Sequence, residues 1–142
     1  SNIRFRTIDG KRYAFDDDGK ILYGWVNEQG ERQSDDDGWE SAIYYLGNWD
    51  KGDMKIGWQK IYVYDSDEDD DMEHWFNFKS NGKKRFNDST ENHDIFKEEK
   101  INGKRYGFDN RGVMTYEWAL ATEGEKGASW ASTSSWRWRR WR

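Results

Sequence analysis

Residues 65–73 read DSDEDDDME and place seven carboxylates in nine positions, a density of hard oxygen ligands that attracts divalent cations such as Ca²⁺. Density alone does not order a site. A calcium-binding EF-hand loop needs glycine at its sixth place and glutamate at its twelfth, and counting from Asp65 those places hold Asp70 and Phe76. The run therefore reads as a solvated, self-repelling loop, and no metal site is expected. Asp16-Asp17-Asp18 and Asp35-Asp36-Asp37 read as turn chemistry. His74 and His93 are the only imidazoles. Neither has a ligand or triad partner at a motif spacing, so both are expected on the surface or in packing. Paired carboxylates for glycoside hydrolysis act across space and leave no spacing to read. No catalytic residue and no cofactor is expected.

The remaining chemistry is aromatic. Ten Trp, eight Tyr and seven Phe stand against fourteen Val, Ile and Leu. Each buried aromatic removes about 150–250 Å² from water, so rings must supply most of the core. Their faces also attract cations and stack on sugars. The tail 135–142, SWRWRRWR, interleaves Trp with Arg in a manner that suits anionic membranes or nucleic acid. Residues 1–136, however, carry 19 basic against 28 acidic groups, and such a body repels phosphate backbones. No nucleic-acid partner is expected.

The elements that must hold these rings are visible as a repeat. IDGKRYAFDDDG (8–19) returns 93 positions later as INGKRYGFDNRG (101–112). In fuller form, Tyr13-x-Phe15-x3-Gly19-x5-Trp25 recurs without a gap as Tyr106-x-Phe108-x3-Gly112-x5-Trp118. Degraded copies lie between them, one from Tyr44-Tyr45 through Gly52 to Gly57-Trp58, the other from Trp75-Phe76-Asn77-Phe78 to Gly82. Period-two aromatics, then a polar turn ending in Gly, then a second short run make a β-hairpin. Gly19, Gly52, Gly82 and Gly112 are expected to take the positive φ of that turn. Helix has an alternative only at 89–100. The same 93-residue offset places Arg137 and Trp138 on Tyr44 and Tyr45, so the tail reads as the beginning of a further hairpin, with Trp136 and Trp138 on one strand face. One hairpin of this size buries too little surface to fold alone, so the copies must stack. The fold class is all-β: stacked β-hairpin repeats forming a solenoid-like array, with copies near 8–26, 41–58, 72–88 and 101–118, then a linker and partial next repeat over 119–142.

The phrases GKRYAFDDDGKILYGW and GKRYGFDNRGVMTYEW resemble the cell-wall-binding repeats of Gram-positive surface proteins, also called choline-binding repeats, to which glucan-binding repeats are related. The resemblance covers most of 3–118. It implies a β-solenoid outside the cell that docks to choline, glucan or other wall polysaccharide, with a ligand held between consecutive copies by the Trp of a Gly-Trp pair, the first Trp of a Trp-Tyr-Tyr triplet and a nearby Tyr. Carried onto this chain, the Gly-Trp pair is Gly24-Trp25 and Gly57-Trp58 but Glu117-Trp118 at the last copy. The first Trp of the triplet is Arg12, Ile43 and Arg105, and survives only as Trp75. Carried over in this way, the resemblance implies one cage with Trp58 and Trp75, from consecutive copies, as two walls and Phe76 or Tyr45 as a third, and Trp25 of the other Gly-Trp pair as a further ligand-binding candidate.

A non-catalytic extracellular module attaching a larger surface protein to cell-wall polymer or carbohydrate is the function this implies. A structural or adhesive spacer that has lost its ligand is the alternative, favoured by Arg12 and Arg105. The absence of Cys excludes disulfides and thiolate metal sites, and neither a signal peptide nor a transmembrane-length apolar run is present. The opening directly into a repeat reads as a segment of a longer protein. End-to-end self-association through an unpaired terminal edge is a further expectation.

Overall fold

The structure, a computed structural model, describes residues 3–121 and 135–141. It is built of antiparallel strands and one four-residue helix. In chain order these are β1 (Arg4–Ile8), β2 (Lys11–Phe15), β3 (Trp25–Val26), α1 (Gly38–Ser41), β4 (Tyr44–Tyr45), β5 (Gly57–Asp65), β6 (Asp70–Phe78), β7 (Lys97–Ile101), β8 (Lys104–Phe108), β9 (Met114–Leu120) and β10 (Trp136–Arg140). Two compact units result, Ser1–Arg85 and Phe86–Arg142. The first holds the two-stranded pairs β1–β2, β3–β4 and β5–β6; the second holds one sheet in the order β10-β9-β8-β7.

The twin phrases reverse direction at a place other than the expected one. Asp9-Gly10 and Asn102-Gly103 both take positive φ (51° and 79°, 51° and 82°) between the paired ends Ile8↔Lys11 and Ile101↔Lys104. These are two-residue hairpin turns, for which Asp-Gly and Asn-Gly are the favoured sequences because the backbone twist matches that of the flanking strands. The glycine-ended polar segment makes a second, longer return. It occurs four times, bridging Phe15↔Ile21, Val26↔Arg32, Phe78↔Lys84 and Phe108↔Met114, with Gly19, Gly30, Gly82 and Gly112 donating to the carbonyls of Asp16, Asn27, Lys79 and Asp109.

Gly52 departs from expectation because it does not adopt positive φ. A Cβ there would lie 2.9 Å from the Leu22 carbonyl oxygen, so close approach is what demands glycine. Residues 89–100 form turns and the start of β7 where a helix was an alternative. The acidic run is only in part a loop: Asp65 closes β5, 70–73 open β6 with Asp65↔Asp70 paired, and the connection is 66–69.

The core of the first unit gathers Ala14, Leu22, Val26, Tyr44, Leu46 and Met54, with Ile3, Phe5 and Ile43 packed on it. In the second unit Phe108, Val113 and Met114 are buried. One difference between the twins follows from packing. Where the first phrase has Ala14, the second has Gly107, and a Cβ there would stand 2.8 Å from Phe96 Cγ. Gly107→Ala should therefore lower stability by about 1–3 kcal/mol through overpacking, read as a shifted urea midpoint at unchanged slope.

The 93-residue offset extends to strand pairing. Trp25 faces Tyr45 across β3–β4, and Trp118 faces Trp138 across β9–β10. Their ring centroids are 4.7 and 5.3 Å apart.

Candidate functional site

Trp25 is the hub of the first unit's aromatic cluster. Its ring packs on Tyr45 at 4.7 Å, on Phe76 at 5.2 Å and 66°, and on Phe78 at 6.0 Å. Trp39 of α1 meets Phe76 edge-on at 5.7 Å and 78°. Such tilted and edge-to-face pairs each add about 0.5–1.5 kcal/mol beyond burial. Phe76, Phe78 and Trp39 are buried, while Trp25 and Tyr45 keep part of their surface in solvent. Burial raises the Tyr45 phenol above its ordinary pKa and keeps it neutral.

The cluster opens into a groove of ≈ 510 Å³ walled by Trp25, Trp39, Tyr62 and Tyr64, with Asp35, Asp36 and Asp71 on its rim. Alternation along β5 places Tyr62 and Tyr64 on one face, opposite Glu73 and Asp71 of β6. Trp39 Nε1 donates to the Tyr64 carbonyl at 2.9 Å, which ties α1 to β5. The Tyr64 hydroxyl donates to Asp69, and that bond, then burial, raises its pKa. Arg32, the cation at the rim, stacks at 3.7 Å on Tyr23 and donates Nε to the Tyr23 carbonyl. π faces beside carboxylates attract a cation, above all one such as a quaternary ammonium that cannot donate hydrogen bonds.

Trp58 and Trp75 lie elsewhere. Their register partners are Asn77 and Lys60, so both project from the face of β5–β6 that also carries Tyr62 and Tyr64. The rings stand 6.3 Å apart at 85°, both half-buried, with Lys60 Nζ 5.8 Å from the Trp75 centroid. Phe76 follows Trp75 directly and points to the opposite face, where it meets Trp25. Of the five candidates, the structure thus joins Trp25, Tyr45 and Phe76 in one cluster and Trp58 with Trp75 in another.

One pair escaped sequence reasoning. His74 Nε2 lies 2.8 Å from Asp65 Oδ2, with the His74 ring 6.2 Å from Trp39 and Asp65 almost wholly buried. Both sit on the Phe76 face of β5–β6, so the signal was the alternation along 57–65 and 70–78. Among the described residues no group of three His, Cys, Asp or Glu could hold a metal. Among the same residues no helix is long and apolar enough to cross a membrane.

No family profile matches the chain, and no curated protein matches it. Similar solved structures include the choline binding domain of Spr1274 from Streptococcus pneumoniae, at 20% identity and TM-score 0.45, covering 78% of this chain and 90% of that one. CbpJ from Streptococcus pneumoniae TIGR4 aligns at 20% identity and TM-score 0.47 over 84% of this chain. The modular autolysin LytC of the same organism aligns at 21% and 0.23 over 85%. The chain covers 30% of CbpJ and 31% of LytC. The solved structures it resembles include a choline binding domain.

Proposed function

We propose that the chain is a non-catalytic binding module, its hairpins stacked in a solenoid-like array, that attaches a larger extracellular surface protein to choline-bearing wall polymer or carbohydrate. The groove at Trp25 carries this reading, because it combines ring faces with the carboxylates of Asp35, Asp36 and Asp71. A quaternary ammonium gains about 0.5–2 kcal/mol per ring contact, and nearby carboxylates add long-range attraction that weakens with salt. Sugar faces stack on the same rings. Titration of choline and of wall polysaccharide, followed by Trp fluorescence, should give a saturable change at millimolar ligand; an unperturbed signal with every ligand would sink the proposal. Tyr62, 70% exposed, contributes to the groove at little structural cost. Tyr62→Ala should weaken choline binding about two- to fivefold, the effect of one exposed cation–π contact, with the thermal midpoint unchanged.

A specific observation favours the spacer as second reading. The chain's own cations already lie over several rings: Lys84 Nζ 5.5 Å from Trp25, Lys60 Nζ 5.8 Å from Trp75 and Arg12 4.6 Å from Phe5. In a spacer, Trp58→Ala and Trp75→Ala lower stability and leave glycan affinity unmoved. In the second unit's sheet the edge strands are β7 and β10, and end-to-end pairing through an edge would appear as concentration-dependent sedimentation.

A further inference from the structure

The second unit contains a cleft of the opposite polarity. The β8–β9 ladder ends at Tyr106↔Glu117, whereas β9 stays paired with β10 as far as Leu120↔Trp136. Beyond Glu117 the two hairpins diverge, and the opening of ≈ 550 Å³ is lined by Lys104 and Arg105 of β8, Trp118 and Leu120 of β9, and Trp136 of β10. That volume lies within the usual range of small-ligand sites. Pairing parity sets Trp136 and Leu120 on the same face as Trp118 and Trp138, and Trp136 is 52% and Leu120 44% exposed. An uncovered apolar wall of this kind is the first mark of a binding surface.

Its charges supply the second. Glu117, the acid in the cleft, is 3.5 Å from Arg139 and so is already matched. Arg105 is held by Glu98 only at 3.8 Å, with both side chains about half exposed, a pairing worth little in water. Lys104 has no ion-pair partner among the described residues. The cleft therefore presents one ammonium unmatched among the described residues and one loosely held guanidinium beside the exposed indole of Trp136 and the half-buried one of Trp118.

We propose that this cleft binds a sugar bearing a single oxyanion, carboxylate or phosphate, with the ring face on Trp136 and Trp118 and the oxyanion on Lys104 and Arg105. Arg105 leaves Glu98 for the ligand, since a guanidinium accepts an oxyanion in a bidentate geometry that its 3.8 Å ion pair lacks. A densely charged nucleic acid fits less well, because two cations cannot offset a phosphate run against a chain of net charge −5. The site shares no residue with the groove at Trp25, and its test is independent of the choline reading.

The experiment follows the indole N–H resonances of the full chain during titration with glucuronate, glucose 6-phosphate, glucose, inorganic phosphate and AMP. Either sugar anion should shift the Trp136 and Trp118 signals, and which of the two binds tighter identifies the oxyanion. Glucose should bind at least tenfold more weakly, the loss of a charge-assisted hydrogen bond. Lys104→Gln should weaken the sugar anions severalfold while leaving glucose binding and the urea midpoint in place. Tyr62→Ala, in the other unit, should leave these shifts intact. Equal binding of glucose and glucuronate, tighter binding of AMP or bare phosphate, or an unaltered response in Lys104→Gln would each overturn the proposal.

Discussion

Replacing Asp109 with Ala should destabilise the second unit by about 3–5 kcal/mol, while the same change at its twin, Asp16, should cost about 1 kcal/mol. Both aspartates sit at the start of the same glycine-ended return and do the same local work. Asp16 Oδ1 accepts from the amides of Asp18 and Lys20, and Asp109 Oδ1 accepts from those of Arg111 and Val113. Their surroundings decide the difference. Asp16 is partly solvated, so water replaces what Ala removes. Asp109 is 0% exposed, and its Oδ2 accepts from Arg111 Nε at 3.2 Å and from a terminal guanidinium nitrogen at 3.0 Å. Arg111 is itself only 5% exposed. Asp109→Ala strips two charge-assisted hydrogen bonds from a buried guanidinium, and breaking a buried ion pair from one side is costly. Asp109→Asn, which keeps an Oδ1 acceptor but loses the charge, should fall between the two. Urea unfolding of the full chain provides the measurement; equal losses for Asp16→Ala and Asp109→Ala would mean that the turn, not the ion pair, holds the unit.

That contrast bounds what the sequence discloses. The twins differ at one decisive place, Asp18 against Arg111, and in a list of residues this is merely a change of charge. Only burial converts it into an ion pair. The hairpin content was legible because Tyr13, Phe15, Tyr106 and Phe108 alternate and glycines close the returns at fixed offset. The reversal at Asp9-Gly10 and Asn102-Gly103 was equally legible, since these dipeptides are strong hairpin signals, but the longer acidic turns masked them. Gly52 shares a type with its counterparts but not a cause, and a close approach from Leu22 is a tertiary fact without a local trace. The same holds for Lys84. It is 3% exposed and donates to the carbonyls of Trp39 and Glu40 at 2.9 and 3.2 Å, a role that nothing around it in sequence announces. The candidate site was half legible for a related reason. Ring identity marked residues that the structure gathers into aromatic clusters, but which rings share a face depends on strand register.

Register is also what gives Phe76→Ala the other large expected effect, a loss of about 3–5 kcal/mol from the first unit. Phe76 is 0% exposed and lies among Trp25, Trp39 and Phe78, with centroids at 5.2, 5.7 and 6.5 Å. Truncation removes its transfer free energy, leaves a cavity between two indoles and deletes two edge-to-face contacts, and the rigid strands around it cannot collapse to fill the space. The loss should extend to the groove, because Trp25 and Trp39 both lean on this ring and both wall that opening. Near-UV circular dichroism should therefore weaken along with the urea midpoint, and choline affinity should fall even in conditions where the chain stays folded. Trp75→Ala, one residue earlier and larger by volume, should cost far less, because its ring lies on the other face, half-buried, with Trp58 at 6.3 Å as its aromatic neighbour. A Trp75→Ala loss as large as that of Phe76→Ala would contradict this register. It would place the Trp58–Trp75 pair among the packing of the unit rather than on its half-exposed face.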